Sequence, residues 1–424
     1  DEQNAYRLFS IPLDAEDKSP AAVLEDDLGG YDASEWRLFS LESDGTYAEF
    51  PESGSFNPGN AFWLIVRDTG RVIDTGPAAS ITTQEPSTIS LNAGWTFIGN
   101  PFSFPLPLSN VSLENGEPLD IRSFTGVWQE YNGLLNPFQG YAVYSEEQTT
   151  LNINPDNSSN PVSPGAVKTA PDTQQVWTIP IHASVRNIRD IDTKLEIRPN
   201  SSRAWDRFDR PEAPVIGKYL SVYFPHPEWE KQVSGFTVDT RPIPRDGESW
   251  DLAVRTNVSD KVTLEFRDLD ALPGQYEIWI ADQLLKTAQN LRENRSWSTT
   301  KVSEGSEKKL TVFLGSPDYI RQKFDDLQLI PATYQLSQNF PNPFNIETTI
   351  RYGLPQESRV SVRIYDIRGR EIRQLLRNEM RPAGYHTITW DGTNRSGQIV
   401  ASGIYFYVLQ SKSGLLKNKM ILIK

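Results

Sequence analysis

Short runs of alternating apolar and polar residues recur along the whole chain, separated by turns rich in proline, glycine and asparagine. Val360, Val362 and Ile364 alternate with polar neighbours, and residues 219–224 alternate in the same way. A period of two residues is typical of a strand with one buried face. Thirty prolines, 27 glycines and 11 Trp, 16 Tyr and 19 Phe favour many short strands joined by turns. The sequence therefore predicts an all-β protein with several immunoglobulin-like or β-sandwich domains in tandem.

The first part of the chain, residues 1–153, carries an internal duplication. The two copies, about 5–76 and 90–153, each contain a strand that ends at proline, a middle hairpin, and an Asn-Pro turn that leads into an aromatic strand. A repeat of this kind predicts two similar units that each bury a face against the other. We therefore expect one all-β domain with internal pseudo-twofold symmetry.

Three further segments precede the C-terminal part. Residues 154–175 are rich in Pro, Asn and Ser, which predicts a semi-extended linker. Residues 176–317 contain at least six strand-like runs and predict a β-sandwich. Residues 318–333 predict a connector.

The last ninety or so residues, 334–424, form the most ordered pattern. Phe340 and Phe344 flank two prolines, which fix φ and remove two backbone donors, so this segment is neither a helix nor a central strand. We expect both phenylalanines to pin an extended entry segment onto a core. The runs that follow predict an immunoglobulin-like sandwich of about seven short strands.

The order of these pieces resembles the type A C-terminal sorting domain of cargo proteins of the type IX (Por) secretion system of Bacteroidetes and related bacteria. The resemblance covers residues 334–424. The residues that carry it are Phe340, Pro341, Asn342, Pro343, Phe344, Asn345, Trp390, Asp391, Gly392, Gly403, Tyr405 and Lys419. The same region is similar to the immunoglobulin-like domain of flagellar hook-capping proteins. Residues 5–153 and 176–317 resemble β-modules that accompany sorting domains.

The resemblance implies partners and a location. The type IX translocon and its attachment machinery would be partners, and the translocon would recognise the final strands. In many relatives the sorting domain is removed and the cargo is joined to surface glycolipid, which makes glycolipid and self-association further candidate partners. The protein would lie outside the cell or on its outer surface. Because Asp1 does not begin a signal peptide, we expect that a signal has been cleaved or that a longer precursor exists.

Charge and composition narrow the function classes. The net charge is −13, and residues 1–153 hold 6 Lys and Arg against 23 Asp and Glu, whereas residues 334–424 hold 13 against 6. The acidic N-terminal region, residues 1–153, argues against nucleic-acid binding. The basic C-terminal region, residues 334–424, suits an acidic partner or a solvated surface. Zero cysteines exclude disulfides, thiolate metal sites and a Cys nucleophile. No run approaches the roughly 18–20 apolar residues of a transmembrane segment.

Catalytic motifs are missing from the sequence. The three histidines, His182, His226 and His386, lie in different predicted segments, outside any HExxH or Ser/His/Asp pattern. A glycosidase needs only two carboxylates, and the many acids leave such a pair open. The acids lie in loops and between strand residues, as on a solvated surface, so we predict that the chain is not an enzyme.

The sequence predicts no cofactor and no metal site, and it leaves calcium open as the one candidate. Extracellular β-domains often hold loops together with Ca²⁺, which takes several oxygen ligands. Asp206 with Asp209 is the leading candidate pair; the others are Asp190 with Asp192 and Asp239 with Asp246. None has the EF-hand spacing, and the alternative is that these residues stabilise loop turns and strand ends.

The tryptophans raise the question of sugar binding, because sugar faces stack on exposed aromatic rings. Trp36, Trp63, Trp95 and Trp128 recur within the two copies, which indicates core positions. Trp229 lies in a proline-rich loop and is the better candidate for a glycan contact.

Taken together, the sequence predicts a non-enzymatic extracellular or cell-surface protein, structural or adhesive, that is exported by type IX secretion. Its C-terminal domain would act as the secretion and attachment signal and could take part in assembly. Two alternatives stay open: an accessory C-terminal half of a larger secreted hydrolase, and a carbohydrate-binding module.

Overall fold

The computed structural model of the chain describes residues 5–68, 70–155, 176–331 and 333–423. Most of the predicted linker, residues 156–175, lies outside this described part. Within it, strands in several separate sheets dominate and two α-helices occur, which confirms the all-β prediction. Neither helix is long and apolar enough to cross a lipid bilayer.

The residues group into two compact units. The first holds the chain up to residue 243 together with residues 252–268 and 298–308, and the second holds the rest. The region 176–317, for which the sequence predicts one sandwich, therefore supplies residues to both units.

Residues 5–155 build two four-stranded sheets with the same strand order. The strands and the helix of this region are β1 (Arg7–Ser10), β2 (Leu13–Ala15), α1 (Pro20–Leu28), β3 (Trp36–Leu41), β4 (Tyr47–Glu49), β5 (Ala61–Val66), β6 (Ala78–Ser80), β7 (Ser87–Leu91), β8 (Gly94–Gly99), β9 (Leu106–Pro107), β10 (Val111–Leu113), β11 (Asp120–Phe124), β12 (Trp128–Glu130), β13 (Leu134–Leu135), β14 (Gly140–Ser145) and β15 (Thr149–Ile153). The first sheet has the order β1-β5-β3-β4, and the second has β8-β14-β11-β12. Corresponding runs of the two copies thus occupy corresponding places.

An aromatic seam joins the two copies. The fully buried ring of Trp63 in the first copy meets Phe97, Phe124 and Trp128 of the second edge-on, at centroid distances of 5.6, 4.8 and 5.6 Å. The four recurring tryptophans are all buried, between 0 and 8 % exposed. The duplication therefore places large rings in the core.

Helix α1 was not predicted. The Ser19 side chain caps its first turn by accepting a hydrogen bond from the Ala22 N–H at 3.2 Å, and Pro20 occupies the first helical position. Its buried residues are Pro20, Val23 and Leu24. A helix of nine residues is too short to show a clear helical period in the sequence.

The middle strands of the first unit follow. They are β16 (Trp177–Val185), β17 (Ile188–Asp190), β18 (Lys194–Ile197), β19 (Arg210–Pro211), β20 (Leu220–Pro225), β21 (Gly235–Arg241), β22 (Gly247–Thr256, of which residues 252–256 belong here) and β23 (Asp260–Phe266). They pair in the order β23-β16-β18-β21-β20-β22, with a parallel pair at β18 and β21. Buried and half-buried residues alternate along all nine positions of β16, as expected for a half-buried strand.

The second unit begins with a group of paired strands and a helix. The elements after β23 are β24 (Glu277–Asp282), β25 (Thr287–Asn290), β26 (Ser296–Val302), β27 (Glu307–Gly315), α2 (Pro317–Leu327) and β28 (Ile330–Pro331), and residues 298–308, which span parts of β26 and β27, belong to the first unit. Strand β24 pairs with β27 and β25, and β28 adds to β25 in parallel. The region 318–333, predicted as a connector, is thus largely helix α2, whose Phe324 ring packs against Trp279 at 4.9 Å.

The C-terminal domain is a sandwich of two sheets. Its strands are β29 (Gln335–Leu336), β30 (Thr348–Leu354), β31 (Ser358–Asp366), β32 (Glu371–Arg381), β33 (Gly384–Trp390), β34 (Gly403–Ser411) and β35 (Gly414–Leu422). One sheet has the order β29-β30-β33 and the other β32-β31-β34-β35. Seven strands in two sheets agree with the predicted immunoglobulin-like fold.

The C-terminal domain packs on β24, β25 and α2 within the second unit. The Tyr385 ring lies 5.5 Å from Trp279 and 4.7 Å from Phe324, and its hydroxyl donates to the Ala288 carbonyl at 3.0 Å. Arg351 Nη1 pairs with Glu277 at 2.9 Å. Apolar, hydrogen-bonded and ionic contacts therefore all join this domain to its neighbour.

Candidate functional site

The entry segment of the C-terminal domain connects its two sheets. Phe340 exchanges two backbone hydrogen bonds with Thr349 of β30, at 3.0 and 2.9 Å. Phe344 pairs with β35 of the other sheet: its N–H donates to the Ile421 carbonyl at 3.0 Å, and its carbonyl accepts from the Ile423 N–H at 2.9 Å. The two prolines between these residues have no N–H to donate, so pairing is restricted to the two ends of the segment.

Two asparagine side chains complete this connection. Asn342 Oδ1 accepts from the Ile421 N–H at 2.9 Å. The buried Asn339 side chain donates to Thr348 Oγ1 at 2.9 Å and to the Pro341 carbonyl at 3.1 Å. Asn339 and Asn342, three positions apart, therefore form hydrogen bonds with different sheets: Asn339 with β30 and Asn342 with β35.

The outer edge of β35 is held further along by the same segment. Gln338 Nε2 donates to the Lys419 carbonyl at 2.8 Å, and Asn418 Nδ2 donates to the Leu336 carbonyl at 2.7 Å. The last strand therefore has β34 on one side and the entry segment, residues 336–344, on the other.

The aromatic residues of the motif differ in burial. Phe344 is 1 % exposed and lies 5.7 Å from the fully buried Trp390 ring, which also meets Tyr405 at 5.2 Å. Phe340 is 48 % exposed. The expectation that both phenylalanines pin the segment onto the core is therefore wrong for Phe340, because its backbone pairing with β30 directs the ring away from the core.

The Trp390-Asp391-Gly392 motif forms a tight turn after β33. Asp391 Oδ1 accepts from the side chain of Thr393 at 2.6 Å and from its N–H at 3.1 Å, and these bonds lower the pKa of Asp391. Gly392 has φ 65°, and a Cβ there would lie 3.0 Å from the Ile346 carbonyl oxygen. Both the left-handed backbone and the close approach require glycine.

The remaining motif residues lie at the surface or opposite the last strand. Pro341, Pro343, Asn345 and Lys419 are exposed. Gly403 begins β34 and faces Leu422 of β35 in the register of the two strands. The motif thus consists of a buried part that positions β35 and an exposed part around it.

Trp229 is less available for a glycan than the sequence suggested. It ends a short 3₁₀ turn, and its ring stacks on His226 with a centroid distance of 3.6 Å and an interplanar angle of 3°. Phe236 contacts it edge-on at 4.6 Å. One face of the indole is therefore covered by the protein itself, and the ring is half-buried.

The candidate calcium pair forms a loop turn. Asp206 accepts from the Ser202 and Phe208 N–H groups, each at 2.8 Å. Asp209 accepts from the Asp206 and Thr240 N–H groups, also at 2.8 Å, and burial raises its pKa to about 7. These backbone bonds correspond to the alternative that the sequence left open, loop turns and strand ends.

A second acidic group lies in the first unit. Asp26, Asp27 and Asp74 bring carboxylate oxygens within 4.8 Å of one another, and Asp27 accepts from the Asp74 N–H at 2.7 Å. Asp26 and Asp74 are exposed, and Asp27 is half-buried. A surface cluster of this kind is not evidence of a cation site.

The sequence did not reveal a buried charge network around Arg122. This side chain is fully buried, with its Nε 3.1 Å from Asp120 and its Nη1 bonded to Asp192. Asp190 accepts from the Val222 N–H at 2.6 Å, and Glu212 accepts from Ser221 at 2.8 Å. Burial raises the pKa of Asp190, Asp192 and Glu212. The sequence suggested Asp190 and Asp192 only as a candidate calcium pair. Their partners in the structure, Arg122 and Val222, come from distant segments of the chain.

The first unit also contains a cleft of about 410 Å³. The hairpin tip of the first copy lines it through Asp44 and Tyr47, and Trp95 of the second copy lies beside them. Arg255 and Gln232 add polar groups to its wall. The cleft brings charges of both signs together without selecting one ligand class.

The fold and this geometry define an all-β chain whose last domain is immunoglobulin-like. The family model of the FlgD Ig-like domain matches residues 345–414, which confirms the predicted similarity of this region to the immunoglobulin-like domain of hook-capping proteins. The match begins just after Phe344 and ends at the first residue of β35. The entry segment and the last strand, which bind each other, therefore flank the matched part.

Three solved structures are similar to parts of the chain. Dimeric latent PorU from Porphyromonas gingivalis is 14 % identical, with a TM-score of 0.22, over 58 % of this chain and 30 % of PorU. PorZ, an essential surface component of the type IX secretion system of Porphyromonas gingivalis, is 16 % identical, with a TM-score of 0.16, over 41 % of this chain and 21 % of PorZ. A polysaccharide lyase is 7 % identical, with a TM-score of 0.18, over 58 % of this chain and 39 % of the lyase.

The chain spans less than half the length of each of these three structures. Similarities at this level give no basis for transferring a function. No curated protein matches the chain significantly.

Proposed function

We propose that this chain is a non-enzymatic extracellular or cell-surface protein, structural or adhesive, that is exported by a type IX secretion system. Residues 334–424 would be its secretion and attachment signal. The observation that carries the proposal is the pairing of the entry segment with β35. The segment that resembles the opening of a type A sorting domain is hydrogen-bonded to the strand that such a translocon would recognise.

This pairing makes the signal a property of the folded domain. The Asn342 side chain and the Phe344 backbone together satisfy three backbone groups at the end of β35. A translocon that recognises the exposed part of the motif therefore recognises a surface that exists only when β35 is paired with the entry segment. The excess of basic residues in this domain, 13 against 6 acidic ones, suits an acidic partner surface.

The placement of titratable groups supports a non-enzymatic role. His182 lies on β16, His226 on the turn after β20 and His386 on β33, so the three imidazoles occur on separate elements. His226 is bonded to two carboxylates, each at 2.7 Å. An imidazole engaged on both nitrogens is poorly placed to serve as a general base.

The raised carboxyl pKa values around Arg122 are the strongest argument for chemistry, because perturbed acids cluster at active sites. The cavity lined by Asp190, Asp192 and Glu212 measures only about 20 Å³. That volume is comparable to a single water molecule and leaves no room for a sugar ring. We therefore assign these acids to the charge network that surrounds Arg122.

Secretion from native cells tests the proposal. A chain that lacks Met420 to Lys424 loses the end of β35 and is expected to accumulate in the periplasm, as detected by fractionation and immunoblotting. Ile423→Ser is the matched control, because the exposed side chain changes while the backbone bond to Phe344 remains, and it should be exported normally. Normal export of the truncated chain would refute the signal role.

A full-length variant separates misfolding from lost recognition. Asn345→Asp alters an exposed motif residue and leaves the buried contacts of Phe344 and Asn342 in place. If the translocon recognises the exposed part of the motif, this variant should fold with an unchanged melting temperature and still be retained in the periplasm. A folded variant that is exported like the wild type would restrict the signal to β35.

A further inference from the structure

An amide-rich cleft lies in the second unit, beside the segment that leads into the C-terminal domain. Residues 333–336 form one wall, the turn after β25 forms another, and β35 contributes Lys417 and Asn418. The cleft measures about 280 Å³. Its amide side chains are those of Gln289, Asn290, Asn294, Gln335 and Asn418.

One of these amides lacks a partner. The oxygen Oε1 of Gln335 is buried. None of the residues that the structure describes donates a hydrogen bond to it. A buried acceptor without a donor is unfavourable, and native structures pair nearly all such groups with protein, water or ligand. A donor from outside the chain would satisfy it.

The cleft is larger than a single water molecule. A water molecule takes up about 30 Å³ in the liquid, so the cleft has room for several waters or for a small organic molecule. A cleft of 280 Å³ lies just below the usual range of ligand pockets, which begins at about 300 Å³, so it suits only a small ligand.

The lining favours a ligand rich in hydroxyl donors. Gln289 uses its amide N–H groups on the Asn294 and Ser296 carbonyls, at 2.8 and 2.9 Å, and Asn418 uses its own on the Leu336 carbonyl. The amide oxygens of Gln289, Asn418 and Gln335 are therefore the groups that remain to accept hydrogen bonds. Leu336 and Leu416 add an apolar surface to this acceptor-rich wall.

The charges at the cleft have opposite signs. Glu293 and Lys417 are both exposed and both line it, so neither an anion nor a cation is favoured overall. A neutral sugar combines the required properties: several hydroxyl donors, apolar C–H faces and no net charge.

We propose that this cleft binds a neutral sugar of one or two rings, with a ligand hydroxyl donating to Gln335 Oε1. The proposal stands on the cleft alone and is independent of the export route. It also differs from the glycan contact that the sequence suggested at Trp229, which lies in the other unit.

The full chain, titrated with glucose, galactose, mannose, N-acetylglucosamine, cellobiose and lactose, tests the proposal by saturation-transfer NMR. At least one probe should receive saturation at millimolar concentration. Gln335→Leu should weaken its affinity about tenfold, the effect of about one lost hydrogen bond. Because this variant removes an unpaired buried acceptor, its melting temperature should be equal to that of the wild type or higher.

Two further variants complete the test. Thr333→Trp introduces a large ring at an exposed position of the cleft wall, and it should abolish saturation even if Gln335→Leu fails to fold. Trp229→Ala is the control and should bind like the wild type. The proposal is overturned if every probe fails to receive saturation, if binding survives both cleft variants, or if Trp229→Ala alone abolishes it.

Discussion

The side chain of Asn342 accepts a hydrogen bond from the backbone N–H of Ile421 at 2.9 Å, although the two residues are 79 positions apart. Ile421 lies on β35, and its carbonyl accepts from the Phe344 N–H. Both backbone groups of one edge-strand residue are thus paired with the entry segment. An edge strand otherwise presents unpaired groups to solvent or to other chains.

Asn342→Ala should loosen the end of β35. The substitution leaves the half-buried Ile421 N–H without its acceptor, and the expected loss is about 1 kcal/mol of stability in the C-terminal domain. Hydrogen exchange at the Ile421 amide measures the effect directly and should accelerate. Asn345→Ala is the control, because its exposed side chain lies outside this contact. Equal exchange rates in the two variants would contradict the assigned role of Asn342.

Trp63→Ala should strongly destabilise the duplicated region. The fully buried ring contacts three aromatic rings of the other copy, so its removal leaves a large cavity in the seam. Replacement of a core tryptophan by alanine costs about 3–5 kcal/mol. Urea unfolding should show this loss, whereas Val72→Ala, at a position that is 80 % exposed, should stay within about 0.5 kcal/mol of the wild type.

Local patterns in the sequence explain how much of the fold was predictable. The strand at Val360–Ile364 could be predicted because its period of two residues is a local signal. The core position of Trp63 could be predicted because a tryptophan recurs in both copies. The exposure of Phe340 could not be predicted. Two phenylalanines in one short motif look equivalent in the sequence, and they differ only in which strand each of them pairs with.

The charge network of Arg122 shows why the rest could not be predicted. Asp192 lies 70 positions from Arg122, and their contact depends on how two sheets pack. The same holds for the cleft at Gln335, which brings together segments near residues 290, 335 and 417. Sites assembled from distant segments leave no spacing signal in one sequence.

Arg122→Met should cost about 3–5 kcal/mol, the usual effect of breaking a buried ion pair. The guanidinium is fully buried between Asp120 and Asp192, each 17 % exposed, and its loss removes the buried positive charge that both carboxylates share, while Arg210 remains 3.8 Å from Asp120. Urea unfolding at neutral pH measures the loss. The double variant Arg122→Met with Asp192→Asn should recover part of it, because one uncompensated charge is removed.

A surface ion pair provides the control for Arg122. Arg186 and Asp260 pair at 2.9 Å with side chains that are 62 and 45 % exposed. Exposed pairs contribute about 0–1 kcal/mol, so Arg186→Met should change stability little. Similar losses in the two single variants would contradict the assignment of Arg122 as a buried, energetically important charge.

His226 should make the first unit more stable at mildly acidic pH. Burial opposes protonation of this imidazole, but the hydrogen bond to the buried Asp239 and that to Glu228 outweigh burial, and the pKa of His226 is raised. The neighbouring Arg241 acts in the opposite direction. A folded-state pKa above the unfolded value of about 6.5 means that the stabilisation is complete below that pH and is lost as the pH rises through the folded pKa.

His226→Gln tests this sign. Because hydrogen bonds to charged groups contribute about 1.5–3 kcal/mol, the variant should lose about that amount in acid, below the unfolded pKa of histidine, and clearly less in alkaline solution. Urea unfolding at the two pH values measures the difference. Glu228→Gln should have a smaller effect, since that carboxylate is 63 % exposed whereas Asp239 is fully buried. A loss that grows with pH would mean that the neutral imidazole, bonded to Asp239 through one nitrogen, is the form that stabilises the fold.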